Sequence, residues 1–157
     1  ELSLHLIEQF TGKRPKGWFG PGLKETFDTP DLLKELGIEY VFDWVLDDLP
    51  CWITTIHGPL LAMPYTLELN DSPVYAIERQ HSSEMFDRLV DTLAVFDKEL
   101  KDQPRMLTIA LHPHLMGVPH RFRYLERMLD ILQARSDTIF IVGADVANWY
   151  QKACPAN

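Results

Sequence analysis

The feature that most constrains this chain is an alternation of helix-like and strand-like stretches. "TPDLLKELG", residues 29–37, has Thr29 at an N-cap position, Pro30 in the first turn, Leu32, Leu33 and Leu36 at helical spacing, and Gly37 as a stop. "IEYVFDW", residues 38–44, follows as a β-rich apolar run, and "PLLAMPYT", residues 59–66, makes a second with Pro64 near its end. "SSEMFDRLVDTLAVFDKELK" carries Phe86, Leu89, Leu93, Phe96 and Leu100 at spacings of three and four, which predicts a long amphipathic helix. "RMLTIALHP" predicts a third buried strand. Pro119 opens another helix with Phe122, Leu125, Leu129 and Leu132 inward, and "TIFIVGADVANWYQ" supplies a last strand and a closing helix. Apolar strands separated by helices predict an α/β fold, a mostly parallel sheet covered by helices. With the short "KGWFG" included the strands number about five, too few for a closed barrel, which needs about 200 residues or more.

A length of 157 residues with 46% hydrophobic content predicts one core, so residues 1–157 are read as a single unit. A net charge of -8 with no basic patch excludes a nucleic-acid surface and an anionic membrane surface. Cys51 and Cys154 are too few and too far apart for a disulfide framework or a paired-cysteine metal site, which makes a cytoplasmic setting the default. No apolar run reaches the ~18 residues a membrane span requires. At the other end of the chain, Leu6, Ile7 and Phe10 share a helical face that stops at Gly12, yet no cap precedes Glu1. The expectation is a chain that starts within an element, as a fragment or one half of a two-part fold. The stretch from Asp48 to Ser83, with Pro50, Pro59, Pro64 and Pro73, reads as the irregular loop region of a site.

In parallel α/β folds chemistry collects where strands end. Asp43 closes "YVFD", Glu68, Asn70 and Asp71 follow "PLLAMPYT", and His112 closes "MLTIALH". His112 and His114 could chelate a metal from a strand end, but Pro113 turns the two apart and no third ligand is evident. The alternative is a single imidazole, His112, whose tautomer is held by a carboxylate from a neighbouring strand, and Asp43 is the natural partner. A plain loop histidine hydrogen-bonded to a carbonyl is the bland third reading. Asp47 and Asp48 could bind a cation or polar substrate groups, though acidic pairs in loops are usually solvated. Trp18 and Trp44 could wall a pocket, though an aromatic at a strand end more often belongs to the core. No phosphate-binding glycine loop and no nucleophile elbow occurs, which leaves hydrolysis by activated water.

The ordered set "TGKRPKGWFGPGLKET", "VFDWVLDDLP", "GPLLAMPYTLELND" and "ALHPHLMGVPHR" resembles the C-terminal half of polysaccharide deacetylase-like proteins (carbohydrate esterase family 4, NodB homology), in the branch of allantoinase-like and cyclic-imide hydrolases. That resemblance implies a distorted (β/α)7 barrel, of which this chain is the C-terminal portion. It implies His112, in "LxH", as the catalytic acid and Asp43 as the aspartate orienting it, with Asp47 and Asp48 matching the branch's acidic pair. Trp18, Trp44 and Glu68 would shape the pocket, and His114 would line its rim. Phe19 stands where sugar deacetylases carry an arginine, which shifts the expectation away from a sugar deacetylase.

The family's aspartate pair and HxxxH metal motif do not occur in this sequence. The expectation is therefore no metal site within the chain, with a zinc-like divalent metal belonging to the full-length family fold. The implied activity is hydrolysis of carbon–nitrogen bonds in a small amide, cyclic amide or N-acetylated substrate, with the missing N-terminal half or an oligomer partner completing the site. Two other readings stay open, a non-catalytic split subunit that pairs its sheet with another chain and a self-contained HxH metalloenzyme.

Overall fold

The computed structural model describes residues 1–156. It is an α/β structure with a mostly parallel sheet and flanking helices. The described residues group into two compact units, 1–65 with 141–156, and 66–140.

The first unit holds the sheet. Strands β1 (Gly17–Trp18), β2 (Tyr40–Val41), β3 (Cys51–Thr55) and β4 (Gly58–Ala62) lie in the order β1-β2-β4-β3, with β1–β2 and β2–β4 parallel and β3–β4 antiparallel. Strand β4 falls in the run expected as a strand, while its hairpin partner β3 occupies a stretch that reads as loop. Pro59 is tolerated because β2 pairs only with Leu61 and Ala62, so no ladder donor is lost on that side. The hairpin turns through Ile56 and His57; Gly58 takes φ 107, and the Thr55 hydroxyl donates to the Gly58 carbonyl at 2.6 Å.

Helices α1 (Leu2–Thr11) and α2 (Thr29–Glu35) end at glycines with positive φ, Gly12 and Gly37, as expected. Leu4, Leu33, Ile38, Val41 and Leu60 form this unit's core. The face of α1 differs from expectation. Leu4 enters the core, while Phe10 is 93% exposed and Leu6 and Ile7 are also open. Helix α6 (Gly143–Ala153) closes this unit, and the indole of Trp52 donates to the Cys154 carbonyl at 2.7 Å.

The second unit is helical. Helices α3 (Glu84–Glu99), α4 (Pro113–Met116) and α5 (Pro119–Ala134) surround a core of Leu69, Val74, Met85, Leu89, Met116 and Met128, among others. The expected strand in "RMLTIALHP" is reduced to one parallel bridge, Asn70 to Ala110. Ala110 N–H donates to the Leu69 carbonyl at 3.0 Å and Asp71 N–H to the Ala110 carbonyl at 3.1 Å. The β-forming residues are present, but a ladder needs a partner along its whole length, and here it has one at a single residue. "TIFIV" forms no strand either, for the same reason; Ile139 is 77% exposed. Among the described residues no helix is long and apolar enough to cross a membrane.

Candidate active site

In the second unit the chemistry is built around the Asn70–Ala110 bridge. The bridge brings the chain after Ala110 alongside Asp71, which opens a π-helical turn, Ser72–Ile77. Such turns are rare and recur at functional sites. The Asn70 side chain accepts the Ser72 N–H at 3.0 Å, fixing the start of that turn. Asp71 is fully buried. One carboxylate oxygen accepts the main-chain N–H of His112 at 2.6 Å, and the other meets the His112 ring Nδ1 at 2.6 Å. A carboxylate can only accept, so Nδ1 carries the hydrogen and Nε2 presents its lone pair. The imidazole keeps 45% of its surface open. His112 has extended backbone because a proline follows it, and its carbonyl accepts from Leu115 and Met116, which starts α4. The ring is thus clamped on one edge and open on the other.

The carboxylate that meets His112 in the structure is Asp71; the sequence and the resemblance pointed to Asp43 for that place. The signal was visible in "LELND", but three polar residues there compete and only the fold decides among them. Glu68 faces solvent, its carbonyl accepting from Arg88 at 3.2 Å; Asn70 makes the bridge; Asp71 turns inward. His114 sits on α4 and is exposed, its ring 5.8 Å from that of His112 at 74°. Arg121 lies over the Tyr75 ring at 4.2 Å and donates to the Leu115 carbonyl at 3.1 Å, which ties α5 to α4 beneath His112.

The first unit carries its own polar centre at the carboxyl ends of β1 and β2. Asp43 follows β2, and the N–H of Gly20, just past β1, donates to both of its oxygens at 2.7 and 2.9 Å. Gly20 has no side chain for a reason of space. A Cβ there would come within 2.8 Å of Asp43 Oδ2 and 3.3 Å of the Trp18 indole nitrogen. Glu25, which no motif singled out, hydrogen-bonds with Asp43 and accepts from the Trp44 indole. Burial, with Asp43 adding to it, pushes the Glu25 carboxyl up to about 7. So Trp18, Asp43 and Trp44 of the expected site gather in this unit around Gly20 and Glu25. Asp47 and Asp48 remain exposed in the loop before β3, where Asp47 accepts the Asp48 N–H at 2.6 Å. Phe19 packs against Tyr65 and Phe42, with ring centroids 4.9 and 6.3 Å away.

The residues present do not fit a metal. Among the described residues no group of three or more His, Cys, Asp or Glu could hold one, and His112 Nδ1 is already committed to Asp71. Burial also pushes the Cys51 thiol up, which disfavours thiolate chemistry.

No family model matches the chain. A polysaccharide deacetylase-type protein of Schizosaccharomyces pombe is 30% identical over 139 residues, 77% of this chain and 42% of that protein. Among solved structures, the probable polysaccharide deacetylase of Pseudomonas aeruginosa PAO1 matches with a TM-score of 0.88 at 30% identity, over 99% of this chain and 53% of its own. The Puue allantoinase matches with a TM-score of 0.89 at 28% identity, over 99% of this chain and 52% of its own. A polysaccharide deacetylase-type structure from Mycobacterium smegmatis, 20% identical with a TM-score of 0.77, shares the fold. The chain spans about half the length of the relatives it matches.

Proposed function

The chain is polysaccharide deacetylase-like and corresponds to the C-terminal half of its homologues, and on that premise we propose that it carries the acid side of a hydrolase acting on non-peptide carbon–nitrogen bonds. The observation that carries this reading is the His112–Asp71 pair, a half-open imidazole whose tautomer is fixed by a buried carboxylate. Water adds to the carbonyl carbon of a small amide, cyclic amide or N-acetylated substrate and gives its proton to the group that activates it; Nε2, protonated from solvent before the step, passes its proton to the departing nitrogen as the C–N bond breaks, which returns the ring to the Nδ1–H tautomer. Asp71 holds the ring in register through both states. Such a positioned acid contributes ~10²–10⁴-fold to the rate. The group that activates the water belongs, on this reading, to the half of the relatives that this chain does not span. Asp43, Trp18 and Trp44 are assigned to substrate in their own unit, with Asp47, Asp48, Glu68 and His114 as outer contacts.

The test is to follow release of ammonia, amine or acetate from hydantoin-type cyclic amides, linear ureides and N-acetyl sugars. The chain is assayed alone and with the N-terminal half of a solved relative added. Hydrolysis that falls by two or more orders of magnitude in His112→Ala is expected. An unchanged rate in that variant defeats the assignment of the acid.

A second reading rests on a separate observation, β-forming residues beside a one-residue bridge, Leu107 and Ile109, and the exposed Ile139. Here the chain is a split subunit whose strands complete a sheet with a partner chain. Measuring mass in solution with and without the added half separates this from a self-standing monomer.

A further inference from the structure

The carboxyl of Glu25 is placed as no ordinary solvated glutamate is. Its Oε2 accepts the Trp44 indole N–H, while its Oε1 is buried and receives no donor. The ionisable group that acts on it is another carboxyl, Asp43, through a hydrogen bond and through its charge. Two carboxylates cannot hydrogen-bond each other unless one of them carries the proton. The donors around the pair decide which one does. Asp43 accepts the Gly20 N–H on both oxygens, so both already act as acceptors, and no ion pair with Lys, Arg or His reaches it among the described residues. Glu25 has one oxygen satisfied and one orphaned, and an orphaned buried oxygen is costly for an anion.

We propose that Glu25 is the protonated member of a carboxyl pair with Asp43, and that its O–H, donated from Oε1, is the positioning device that holds Asp43 as a single fixed anion at the end of β2.

The proton does three things at once. It satisfies the buried Oε1, removes the repulsion between two neighbouring negative charges, and turns Glu25 into a donor. Trp44 and Gly20 fix the outer edges of the two carboxyls, so the O–H between them sets the remaining degree of freedom. The groups acting on Glu25 are the Asp43 carboxylate and the Trp44 indole; burial and Asp43 hold the proton on, and the indole opposes them. When the proton leaves, it goes to solvent and leaves two adjacent carboxylates, which must move apart. Glu25 is thus a positioning residue acting through Asp43. The inference stands on the first unit alone and does not depend on the hydrolase reading.

The experiment needs no substrate. The full chain, labelled with ¹³C at glutamate and aspartate carboxyls and with ¹⁵N at tryptophan, is titrated by NMR. The Glu25 Cδ is expected to titrate with a midpoint near 7 rather than its ordinary 4.5, and the Asp43 Cγ and Trp44 Nε1–H resonances should shift at the same midpoint. In Glu25→Gln the amide reproduces the protonated acid, accepting from Trp44 and donating to Asp43. The indole resonance should then sit at its acid-limb position across the whole range. In Glu25→Ala it should move and broaden. A Glu25 midpoint near 4.5, a midpoint near 7 belonging to Asp43 instead, or an indole that still titrates near 7 in Glu25→Gln would each overturn the proposal. The titration of the unmodified chain decides the matter even if a variant fails to fold.

Discussion

Asp43 and Asp71 are both carboxylates placed just after apolar segments, and the molecule stabilises them by opposite means. Asp71, in the second unit, is completely buried and receives two N–H groups from one residue, the backbone and ring of His112. Asp43, in the first, is half-buried, takes a forked N–H from Gly20, and has a second acid for a neighbour. A buried anion is tolerated only where donors or a compensating charge surround it. In one unit the compensating partner is a base that can become a cation, and in the other it is an acid that keeps its proton. The first arrangement leaves an open ring nitrogen ready for proton transfer, and the second leaves a single anion of fixed direction. The same side chain therefore serves two chemistries, and the neighbour decides which.

The strongest way to break the comparison is Asp71→Ala. It strands the His112 N–H and lets the ring choose either tautomer, so the proposed hydrolysis should fall by ~10²–10⁴-fold. Leaving buried donors unpaired should also cost about 1–3 kcal/mol of stability, read from urea unfolding. Asp71→Asn separates the two effects. The amide keeps the packing, but only one of its two polar atoms can accept, so activity should fall more than stability. If Asp71→Ala left both unchanged, the pair would be a coincidence of side chains rather than a working unit.

The pH dependence tests the other member. A carboxyl whose folded value is raised from 4.5 to about 7 contributes stability that is fully present below 4.5 and is lost as pH rises through about 7. The difference in unfolding free energy between the native chain and Glu25→Gln should therefore change across that window and be flat on either side of it. Asp43→Asn should pull the Glu25 midpoint down towards 4.5, because it removes the neighbouring negative charge. Gly20→Ala comes next in size. Its backbone angles, φ -73 and ψ 145, suit any residue, so the whole effect comes from the new Cβ pressing on Asp43 Oδ2 at 2.8 Å. Loosening that forked bond should cost about 1 kcal/mol and shift the Trp44 indole resonance.

What could be read from the sequence follows from how local each signal is. Gly12, Gly37 and Pro119 mark helix ends within a few residues of the chain, and all three helices end or begin there. The mostly parallel α/β class was also legible, because the apolar runs at residues 38–44 and 59–66 alternate with helices. Strand pairing is non-local. "RMLTIALHP" has the composition of a strand and pairs at one residue, while "CWITT" looked like loop and became the longest strand together with its hairpin mate. His112 stood out because an apolar run ends on it. Asp71 was one of three polar residues within four positions, and choosing among them required knowing which one turns inward. Glu25 lies inside the quoted piece "TGKRPKGWFGPGLKET" but was not singled out there: it follows a short 3-10 turn, Pro21–Leu23, and only the folded chain sets it against Asp43 and Trp44.

The smallest expected effect is also informative, since it concerns the residue the sequence places closest to His112. In His114→Ala the exposed ring on α4 disappears, and with it an edge contact to the His112 ring at 5.8 Å. No hydrogen bond fixes His112 from that side; the ring is held through Nδ1 by Asp71, and its backbone by the same carboxylate. Alanine is a better helix former than histidine, which offsets the lost contact. Stability should stay within about 0.5 kcal/mol of the native chain, and the proposed hydrolysis within a few-fold. A loss as large as that of Asp71→Ala would mean that the two histidines act together, as a metal-binding or proton-relay pair. The contrast between a base clamped by one buried acid and an acid clamped by another would then have to be redrawn around His114.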